Sequence, residues 1–568
     1  MLCTNNDIDS LISRLDEDTT ETSYLILGGF QSIRLPAALP IRPISLLYGP
    51  NSSGKSAISD ALRYLEWDLD AKDRKSSFDR WLNNQSKEIL IGFSWLGNLK
   101  SLVLAGESQF IGYYGDLLQE VSCGLDELPF EEMPLMRLTW LIRDGRDIER
   151  SVELYACGVK VATLELDSLA EFNVYRSGIE RLGDSEPNIR WLLKLLSRVR
   201  YLNGKNENEF QIFFSERECM GVIWPNLSKS QDVIDKPILQ MTYHTLIDSS
   251  WLENVSDLMR VFFSRPILGI SHLPDAFILG PIRPVLGEAE LRFLCQDNKA
   301  AISLDTRSAE ANGVWRILAD DIASPFFEKP DTTASYRKEG LEEINRWRNE
   351  HSLPPVGMDF ATAPKPKGLL ADVNRWLNDE SFFGTDCCLL ADPSEIVSLA
   401  NDDVVIKRIL VEFWLRNGAG KKLSFNDVGT GFSQVLPIII YALNGDRTLF
   451  VEQPELHLHP RVQHRLADLF IESIRRKRSK FCIIETHSEH IALRVLRRIR
   501  ETGRSNIPHS RWFIKPEEVS VLYFEPEGGQ TYIHELRIDS AGEFIDKWPR
   551  GFFEERYEDL FDEPRMGD

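Results

Sequence analysis

Short apolar runs alternate with longer amphipathic segments near both ends of the chain. A short apolar run next to a helical pattern is typical of a buried parallel strand that is joined to the next strand by a helix. The strands are predicted at 22–35, 44–48, 85–106, 447–452 and 481–484, and the helices at 55–67, 435–443 and 461–477. This order predicts an α/β fold.

Two further regions alternate apolar and polar positions in the way that is typical of antiparallel strands. Four segments are predicted to form a meander, at 137–143, 149–156, 159–166 and 170–175. Strands at 518–525 and 530–537 are predicted to form a hairpin around residues 526–529. Between these regions helical patterns dominate, at 186–202, 236–263, 309–323, 335–350 and 367–379.

The composition is that of an ordinary globular protein, with 43% hydrophobic and 27% charged residues. No run approaches the ~18 apolar residues of a membrane span, and the polar start at 1–18 lacks the apolar region of a signal peptide. The eight cysteines form no CxxC pair, which argues against a zinc site and favours a reducing compartment. We therefore expect a cytoplasmic protein with no membrane contact.

The net charge of −21 limits the protein's partners. A protein that coats duplex DNA usually has a basic surface, so any nucleic-acid contact would need a local patch or a partner protein. Two basic runs exist, at 475–478 and 494–504, and both lie late in predicted helices. Cations complement the carbonyl end of a helix, so we interpret these runs as solvated helix ends, with a nucleic-acid patch as the alternative.

A complete phosphate-binding loop follows the apolar run at 44–48. It has the form GxxxxGK[ST] between a predicted strand and a predicted helix, which is the context that the motif requires. Backbone N–H groups of such a loop surround phosphate oxygens, and the helix adds its positive end. Lys55 is expected to reach the β- and γ-phosphates of a nucleoside triphosphate, and the Ser56 hydroxyl to bind Mg²⁺. The predicted nucleotide-binding residues here are Gly49, Pro50, Asn51, Ser52, Ser53, Gly54, Lys55, Ser56 and Ala57.

A second set of candidate residues lies between 426 and 490. Glu452 closes an apolar strand, where an acid supplies the second Mg²⁺ contact through water. His487 follows the next strand, where it can reach a γ-phosphate. Gly429, Thr430, Gly431 and Ser433 open a helix and form a second anion-binding site. One nucleotide does not need two such sites in one subunit, but two subunits placed head to tail do.

Four stretches in this order resemble the ATP-binding-cassette head of the SMC/RecF type. They are GPNSSGKS at 49–56, NDVGTGFSQVLP at 426–437, VEQPELHLHP at 451–460 and ETHSEH at 485–490. Within that group the chain is similar to the OLD-like bacterial ATPases, many of which are linked to anti-phage defence. The resemblance implies that Glu452 is the Mg²⁺-side acid, that 456–459 crosses the dimer, that 429–433 is the signature facing the partner's γ-phosphate, and that His487 is the switch histidine.

By this resemblance the chain divides into four parts. Residues 1–180 form the N-terminal half of the head with the phosphate loop and an antiparallel β lobe, and 181–400 a mainly helical insert lobe. Residues 401–505 form the C-terminal half of the head, and 506–568 the hairpin with an acidic, aromatic tail. The tail either docks on the head or serves as a hook for a partner.

One position departs from the pattern of the group. The residue after the Mg²⁺-side acid is usually a catalytic glutamate, and here it is Gln453. An amide can hold a water but cannot accept its proton, so general-base assistance, typically worth ~10²–10⁴-fold, is missing. Either Glu455 substitutes from two residues away, or hydrolysis is slow and the ATP-bound dimer is long-lived. We favour slow hydrolysis, with help from Glu455.

Two smaller features allow alternative interpretations. His457 and His459 could be metal ligands, but their spacing matches no common zinc site, so a loop and helix-cap role beside Pro460 is favoured. The segment 279–284 predicts a tight turn whose Arg283 either faces the nucleotide or is a simple surface arginine.

OLD nucleases carry a metal-dependent nuclease domain after the head, which needs clustered acids that include a DxD. No DxD follows position 490. We therefore expect an ATPase with cofactors ATP and Mg²⁺ that forms an ATP-sandwiched homodimer or a higher oligomer. It is expected to control a separate effector, an HNH-type nuclease as in Septu-like systems or a Toprim-type nuclease, through which nucleic acid would be reached.

Two other functions remain open from the sequence. One is a RecF-like clamp that binds DNA or RNA directly, whose binding would weaken steeply with salt. The other is a small-molecule phosphotransferase, which would leave the glycine signature and His487 without a role.

Overall fold

The structure is a computed structural model. It describes residues 7–67, 81–97, 135–145, 151–165, 172–175, 237–241, 276–281, 283, 292–295, 309–327, 336–337, 368–379, 382–400, 403–444, 448–477, 481–504 and 511–549. These residues fall into two compact units. Unit 1 comprises Met1–Ala276, Val519–Arg537 and Ile545–Asp568, and unit 2 comprises Phe277–Glu518 and Ile538–Phe544.

The helices are α1 (Ile8–Asp16), α2 (Ala57–Trp67), α3 (Ala309–Phe327), α4 (Leu369–Asn378), α5 (Thr430–Asn444), α6 (Pro460–Arg475) and α7 (Glu489–Arg504). The first nine strands in chain order are β1 (Ser23–Gly28), β2 (Ala37–Ile41), β3 (Ile44–Tyr48), β4 (Glu88–Gly97), β5 (Met136–Gly145), β6 (Ser151–Ala156), β7 (Val159–Glu165), β8 (Phe172–Tyr175) and β9 (Pro237–Met241). Those that follow are β10 (Ala276–Leu279), β11 (Arg292–Cys295), β12 (Tyr336–Arg337), β13 (Cys387–Ala400), β14 (Asp403–Asn417), β15 (Lys422–Leu423), β16 (Thr448–Glu452), β17 (Cys482–Glu485), β18 (Val519–Glu527) and β19 (Gln530–Glu535).

Unit 1 contains a long antiparallel sheet with the order β2-β1-β4-β5-β6-β7-β8-β9. Asp7 caps the start of helix α1, because its carboxylate accepts a hydrogen bond from the Ser10 N–H. Its apolar face, which includes Leu11 and Ile12, packs against Ile26 and other residues of this sheet. The meander predicted over 137–175 is confirmed as the consecutive antiparallel strands β5 to β8.

The strand that leads into the phosphate loop also belongs to unit 1. All five residues of β3 are buried, and β3 pairs in parallel with β18. β18 turns back into β19, which confirms the predicted hairpin. Trp548, at the start of the tail, packs edge-on against Tyr48 at 5.3 Å and Tyr523 at 6.3 Å between ring centroids. At Trp548 the tail is therefore docked, and the tail residues 550–568 lie outside the described part.

Unit 2 contains the parallel pair β16 and β17, with β10 next to β16. A second sheet is built around the long strand β14, which pairs with β13 along its whole length and also with β11, β12 and β15. Helix α5 is buried on nearly every side, which agrees with its apolar sequence.

The predicted α/β class is confirmed, as are the helix at 309–323 and the helix at 367–379, which correspond to α3 and α4. The helix predicted at 236–263 is wrong at its start, where β9 pairs with β8. The helix predicted at 335–350 is wrong at 336–337, which pair with β14. In both places partners distant in sequence override the local pattern. The helix predicted at 186–202 lies outside the described residues, and the four-part division stays a prediction.

The interpretation of the two basic runs as solvated helix ends agrees with the exposed Lys477, Arg497 and Arg504 but is wrong for Arg494 and Arg498, which are buried. Asp468 on α6 is fully buried, and Arg494 and Arg498 on α7 donate to it at 2.6 and 2.7 Å. Burial opposes ionisation of Asp468, but the hydrogen bonds from both guanidinium groups outweigh this effect and lower its pKa. The ion pair thereby joins α6 to α7.

Other arginines of these runs are also paired. Arg476 contacts Asp372 and Glu472, both at 2.7 Å, and Arg500 donates to the carbonyl of Ala541 at 3.0 Å. These charges are used within unit 2. In the part of the chain that the structure describes, no helix is long and apolar enough to span a membrane.

Candidate nucleotide-binding site

The phosphate loop connects the end of β3 to the start of α2. Gly49 has φ 144° and Gly54 has φ 95°, and residues other than glycine rarely adopt these angles. A Cβ at Gly54 would lie 2.1 Å from the Ser32 Oγ, and one at Gly49 would lie 2.5 Å from the Phe524 carbonyl oxygen. The loop shape therefore requires glycine at both positions, for conformation and for space.

Lys55 is folded into this loop. Its side chain is 3% exposed, and Nζ donates to the carbonyls of Gly49 at 3.0 Å and Pro50 at 2.9 Å. The ammonium group is thus held by the backbone that is expected to surround a phosphate. Ser56, the predicted Mg²⁺ ligand, is exposed at the start of α2. Of the other loop residues, Pro50, Asn51 and Ser52 are exposed, whereas Ser53 and Ala57 are buried.

Thr531 on β19 supports the phosphate loop and was not found from the sequence. Its Oγ1 donates to the Ser53 carbonyl at 2.8 Å and lies 2.9 Å from the Ser32 Oγ. Its N–H donates to the Ser32 carbonyl at 2.9 Å. Because Thr531 is 478 positions from Ser53 in the chain, no local motif could have indicated this contact.

The candidate acid lies in unit 2, at the carboxyl end of β16. Glu452 is half-buried and stands in register with Glu485, the last residue of β17. The chain turns at Gln453, which has φ 44°, and its N–H donates to the Glu485 carbonyl at 2.7 Å. This bond fixes the start of the loop after β16 to the end of β17.

Glu455 ties the same two loops together by its side chain. Oε1 accepts from the His487 N–H at 2.7 Å, and Oε2 accepts from the Thr486 hydroxyl at 2.8 Å. Burial raises the pKa of Glu455, although these hydrogen bonds and the charge of Arg283 oppose the rise. The carboxylate thus holds the backbone at His487, whose side chain is half-buried.

The residues of the predicted glycine signature differ in their surroundings. Gly429 and Thr430 are exposed at the start of α5, where N–H groups are available to an anion. A Cβ at Gly431 would lie 2.4 Å from the His457 carbonyl oxygen. Ser433 is buried, and its Oγ donates to the Phe425 carbonyl at 3.4 Å. An approaching phosphate would therefore meet Gly429 and Thr430 first.

One histidine of the loop after β16, His459, caps the start of helix α6. Nδ1 of His459 accepts from the Arg461 N–H at 3.2 Å, with Pro460 as the first residue of α6, which confirms the predicted cap. The loop at His457 has φ 61°. Among the described residues no group of three or more His, Cys, Asp or Glu side chains is arranged to hold a metal ion.

Arg283 is not a surface arginine. Its side chain is 2% exposed, and Nη2 donates to the carbonyl of Glu452 at 2.7 Å. The Arg283 N–H donates to Oε1 of Gln434 at 2.9 Å, so this side chain on α5 holds the Arg283 backbone. Arg283 therefore places a buried cation beside the backbone of the acid strand of unit 2.

The donor types of Ser56 and Glu452 fit Mg²⁺, which prefers oxygen ligands and keeps several waters when it is bound together with a nucleotide. The hydroxyl of an exposed serine and the carboxylate of a half-buried glutamate are such ligands. When bound, Mg²⁺ would neutralise charge on the phosphates.

Two family matches cover parts of the chain. A family described as an AAA domain, putative AbiEii toxin, of a type IV TA system matches residues 296–494. A domain of unknown function, DUF3696, matches residues 514–562. No curated protein matches the chain.

Similar solved structures include three SMC head domains. One, bound to the C-winged helix domain of ScpA, has 11% identity and a TM-score of 0.36, and the match covers 92% of this chain and 100% of that one. The SMC head domain from Thermotoga maritima has 9% identity and a TM-score of 0.32, with 91% and 100% covered. The Pyrococcus furiosus Smc head with an extended coiled coil, bound to the C-terminal domain of ScpA, has 11% identity and a TM-score of 0.34, with 91% and 96% covered. These scores are too low to support further conclusions.

The chain thus has an α/β fold with a phosphate-loop motif between the buried strand β3 and the helix α2, and its residues 296–494 match an AAA-domain family.

Removal of the Thr531 hydroxyl should weaken ATP binding. In Thr531→Val the Ser53 carbonyl loses its donor, and one lost buried hydrogen bond costs roughly 1 to 1.5 kcal/mol, or about 5- to 10-fold in affinity. Titration of the protein with a fluorescent ATP analogue measures this change. Thr531→Ser keeps the hydroxyl and should bind like the parent protein. Equal binding by all three proteins would show that Thr531 does not support the loop.

Proposed function

We propose that this protein is an ATP-binding, slowly hydrolysing ABC-type ATPase that dimerises around Mg-ATP. In this proposal it acts in the bacterial cytoplasm and regulates or scaffolds a separate effector in anti-phage defence. The effector is a nuclease of the HNH or Toprim type. The observation that carries the slow-hydrolysis part is Gln453, which occupies the position after Glu452 and is held by its N–H on the Glu485 carbonyl.

Each candidate residue has a role in this scheme. Lys55 leaves the carbonyls of its own loop and neutralises the β- and γ-phosphates, while the loop N–H groups from Gly49 to Ala57 hold the phosphate oxygens. Ser56 and Glu452 are the residues that would hold Mg²⁺, which would neutralise charge on the phosphates. His487 contacts the γ-phosphate, and Glu455 fixes the backbone from which His487 projects.

Slow turnover follows from the chemistry of an amide. Gln453 can orient a water but cannot take its proton, and general-base assistance is typically worth ~10²–10⁴-fold. Glu455 has a raised pKa, which suits a base, yet both of its oxygens already accept hydrogen bonds. The ATP-bound state is therefore long-lived, which suits a switch better than a motor.

Dimerisation is supported by the exposed start of α5. Gly429 and Thr430 offer N–H groups and a hydroxyl to an anion, and a Cβ at Gly429 would have no atom within 4 Å. In the proposed sandwich this helix start contacts the γ-phosphate held by the partner subunit. Each nucleotide is then covered by two chains, and the dimer depends on ATP.

The alternative is a RecF-like clamp that binds DNA or RNA directly. It needs basic surface, and four of the arginines that the sequence offered for it, Arg476, Arg494, Arg498 and Arg500, are in ion pairs or on carbonyls within unit 2. Together with the net charge of −21, this favours control of an effector protein over direct binding.

Gln453→Glu should raise the turnover number about tenfold or more, because it supplies the missing proton acceptor at the same side-chain length. Steady-state phosphate release at saturating ATP measures the change. Gln463→Glu is the matched control, since it adds the same charge to a glutamine that bridges Ser488 and the Leu458 carbonyl. An unchanged or lower rate in Gln453→Glu would count against this account.

Gly429→Glu should abolish the ATP-dependent dimer and leave ATP binding by the monomer intact. The new carboxylate would face the partner's γ-phosphate, and its Cβ meets no neighbour in the monomer. Light scattering coupled to size exclusion, with and without Mg-ATP, measures the dimer. Gly429→Gln separates size from charge and should dimerise better than Gly429→Glu. Gly431 is unsuitable for this test, because a Cβ there would collide with the His457 carbonyl.

The proposed partner is tested by purifying the tagged protein from its native gene neighbourhood, with and without ATP. We expect a nuclease in fixed stoichiometry, whose amount changes with ATP. Recovery of nucleic acid without a partner protein, in amounts that fall steeply with salt, would instead support the clamp.

A further inference from the structure

Gln434 and Arg283 form a link inside unit 2 that none of the roles above requires. Gln434 lies on α5, four residues after Thr430, the first residue of that helix. Its Oε1 accepts from the Arg283 N–H at 2.9 Å, and its Nε2 donates to the Arg283 carbonyl. One amide side chain thus holds both peptide groups of residue 283.

The Arg283 side chain continues the link to the acid strand. Nη2 donates to the carbonyl oxygen of Glu452 at 2.7 Å, so the contact is made with the backbone and leaves the carboxylate free of this bond. Burial lowers the pKa of Arg283 to about 10, against the charges of Glu455 and Glu452, which raise it. The guanidinium therefore remains charged at neutral pH.

Burial of a guanidinium group costs more free energy than burial of an apolar side chain of the same volume. Among the described residues, Nε and Nη1 of Arg283 have no hydrogen-bond partner. An apolar side chain of similar volume would pack at lower cost. The presence of arginine at this position therefore favours a role for its directed donor over a role in packing alone.

The link has two well-defined ends. At one end is the exposed helix start at Gly429 and Thr430. At the other is the backbone of Glu452, followed directly by Gln453, whose N–H is fixed on the Glu485 carbonyl. A shift of α5 along its axis would therefore be passed through Arg283 to the loop that carries Gln453 and Glu455.

We propose that Gln434 and Arg283 are positioning residues that couple the start of α5 to the loop after Glu452. In the ATP sandwich, which this inference takes from the proposed function, the start of α5 binds the nucleotide of the partner subunit. Through the link, that nucleotide adjusts the geometry of the acid loop on its own subunit. The two nucleotides of a dimer then hydrolyse cooperatively.

The test uses the full chain with Arg283→Met and Gln434→Leu, which remove the link and keep the side-chain bulk. We expect the Hill coefficient of ATP turnover to fall from above one to one, and kcat to fall about tenfold, as for the loss of one charged hydrogen bond. Binding of an ATP analogue at protein concentrations where the chain is monomeric should not change. A merely structural role would instead alter binding, kcat and thermal stability together.

Three further variants serve as controls. Ile439 is fully buried on α5 and has no side-chain hydrogen-bonding group, so Ile439→Val leaves the bonds of the link in place and should keep the cooperativity despite its packing defect. Arg283→Lys keeps one donor for the Glu452 carbonyl and should restore part of the Hill coefficient. Gln434→Glu keeps the acceptor for the Arg283 N–H and loses the donor, so it should give an intermediate value.

The outcomes separate this inference from the proposed function. If the parent protein dimerises with ATP and turns over cooperatively, and the two link variants do the same, the coupling inference is overturned and the proposed function stands. If the parent protein neither dimerises nor shows cooperativity, the proposed function and the coupling inference are both overturned. Loss of cooperativity in Ile439→Val as well would also overturn the inference, because it would show that any defect in α5 has this effect.

Discussion

The half-buried carboxylate of Glu455 ties together the two loops of the candidate site in unit 2. Its two oxygens hold the Thr486 hydroxyl and the His487 N–H, and so the loop after β16 is fixed to the loop after β17. Hydrogen bonds to charged groups contribute roughly 1.5–3 kcal/mol each, and a buried carboxylate without them is strongly destabilising. These two bonds connect the loop that follows Glu452 to the backbone of His487.

The phosphate loop in unit 1 follows a different physical rule. Its shape depends on backbone conformation, since Gly49 and Gly54 adopt angles and approaches that a Cβ would forbid. Lys55 stabilises the loop by donating to two of its carbonyls, which also keeps the ammonium close to the place where a phosphate is expected. Thr531 fixes the outer side of the loop through the Ser53 carbonyl. These contacts define the shape of the loop in this structure.

The elements found from the sequence are those in which local pattern and structure agree. The strand–loop–helix at 44–67, the strands β16 and β17 and the β meander each carry their own apolar period, and the cap at His459 is signalled by the following Pro460. The supporting residues could not be found in this way. Arg283 joins Gln434 and Glu452 across 151 and 169 positions, and nothing in its neighbouring residues marks it as buried. The strand β9 was taken for a helix because its pairing with β8 is invisible to a local pattern.

The hydrogen bonds of Glu455 also bear on a second question, which is whether Glu455 serves as the general base. In the group that the chain resembles, a glutamate at the position of Gln453 usually has that role. A general base must accept a proton from water, and burial, which raises the pKa of Glu455, favours that reaction. A protonated Glu455, however, would be a weaker acceptor for the His487 N–H and the Thr486 hydroxyl. Each proton transfer would then loosen the loop that positions His487. Because the anchoring role and the base role would compete for the same two oxygens, the proposed function assigns Glu455 to holding the two loops more than to splitting water, and slow hydrolysis is what this assignment predicts.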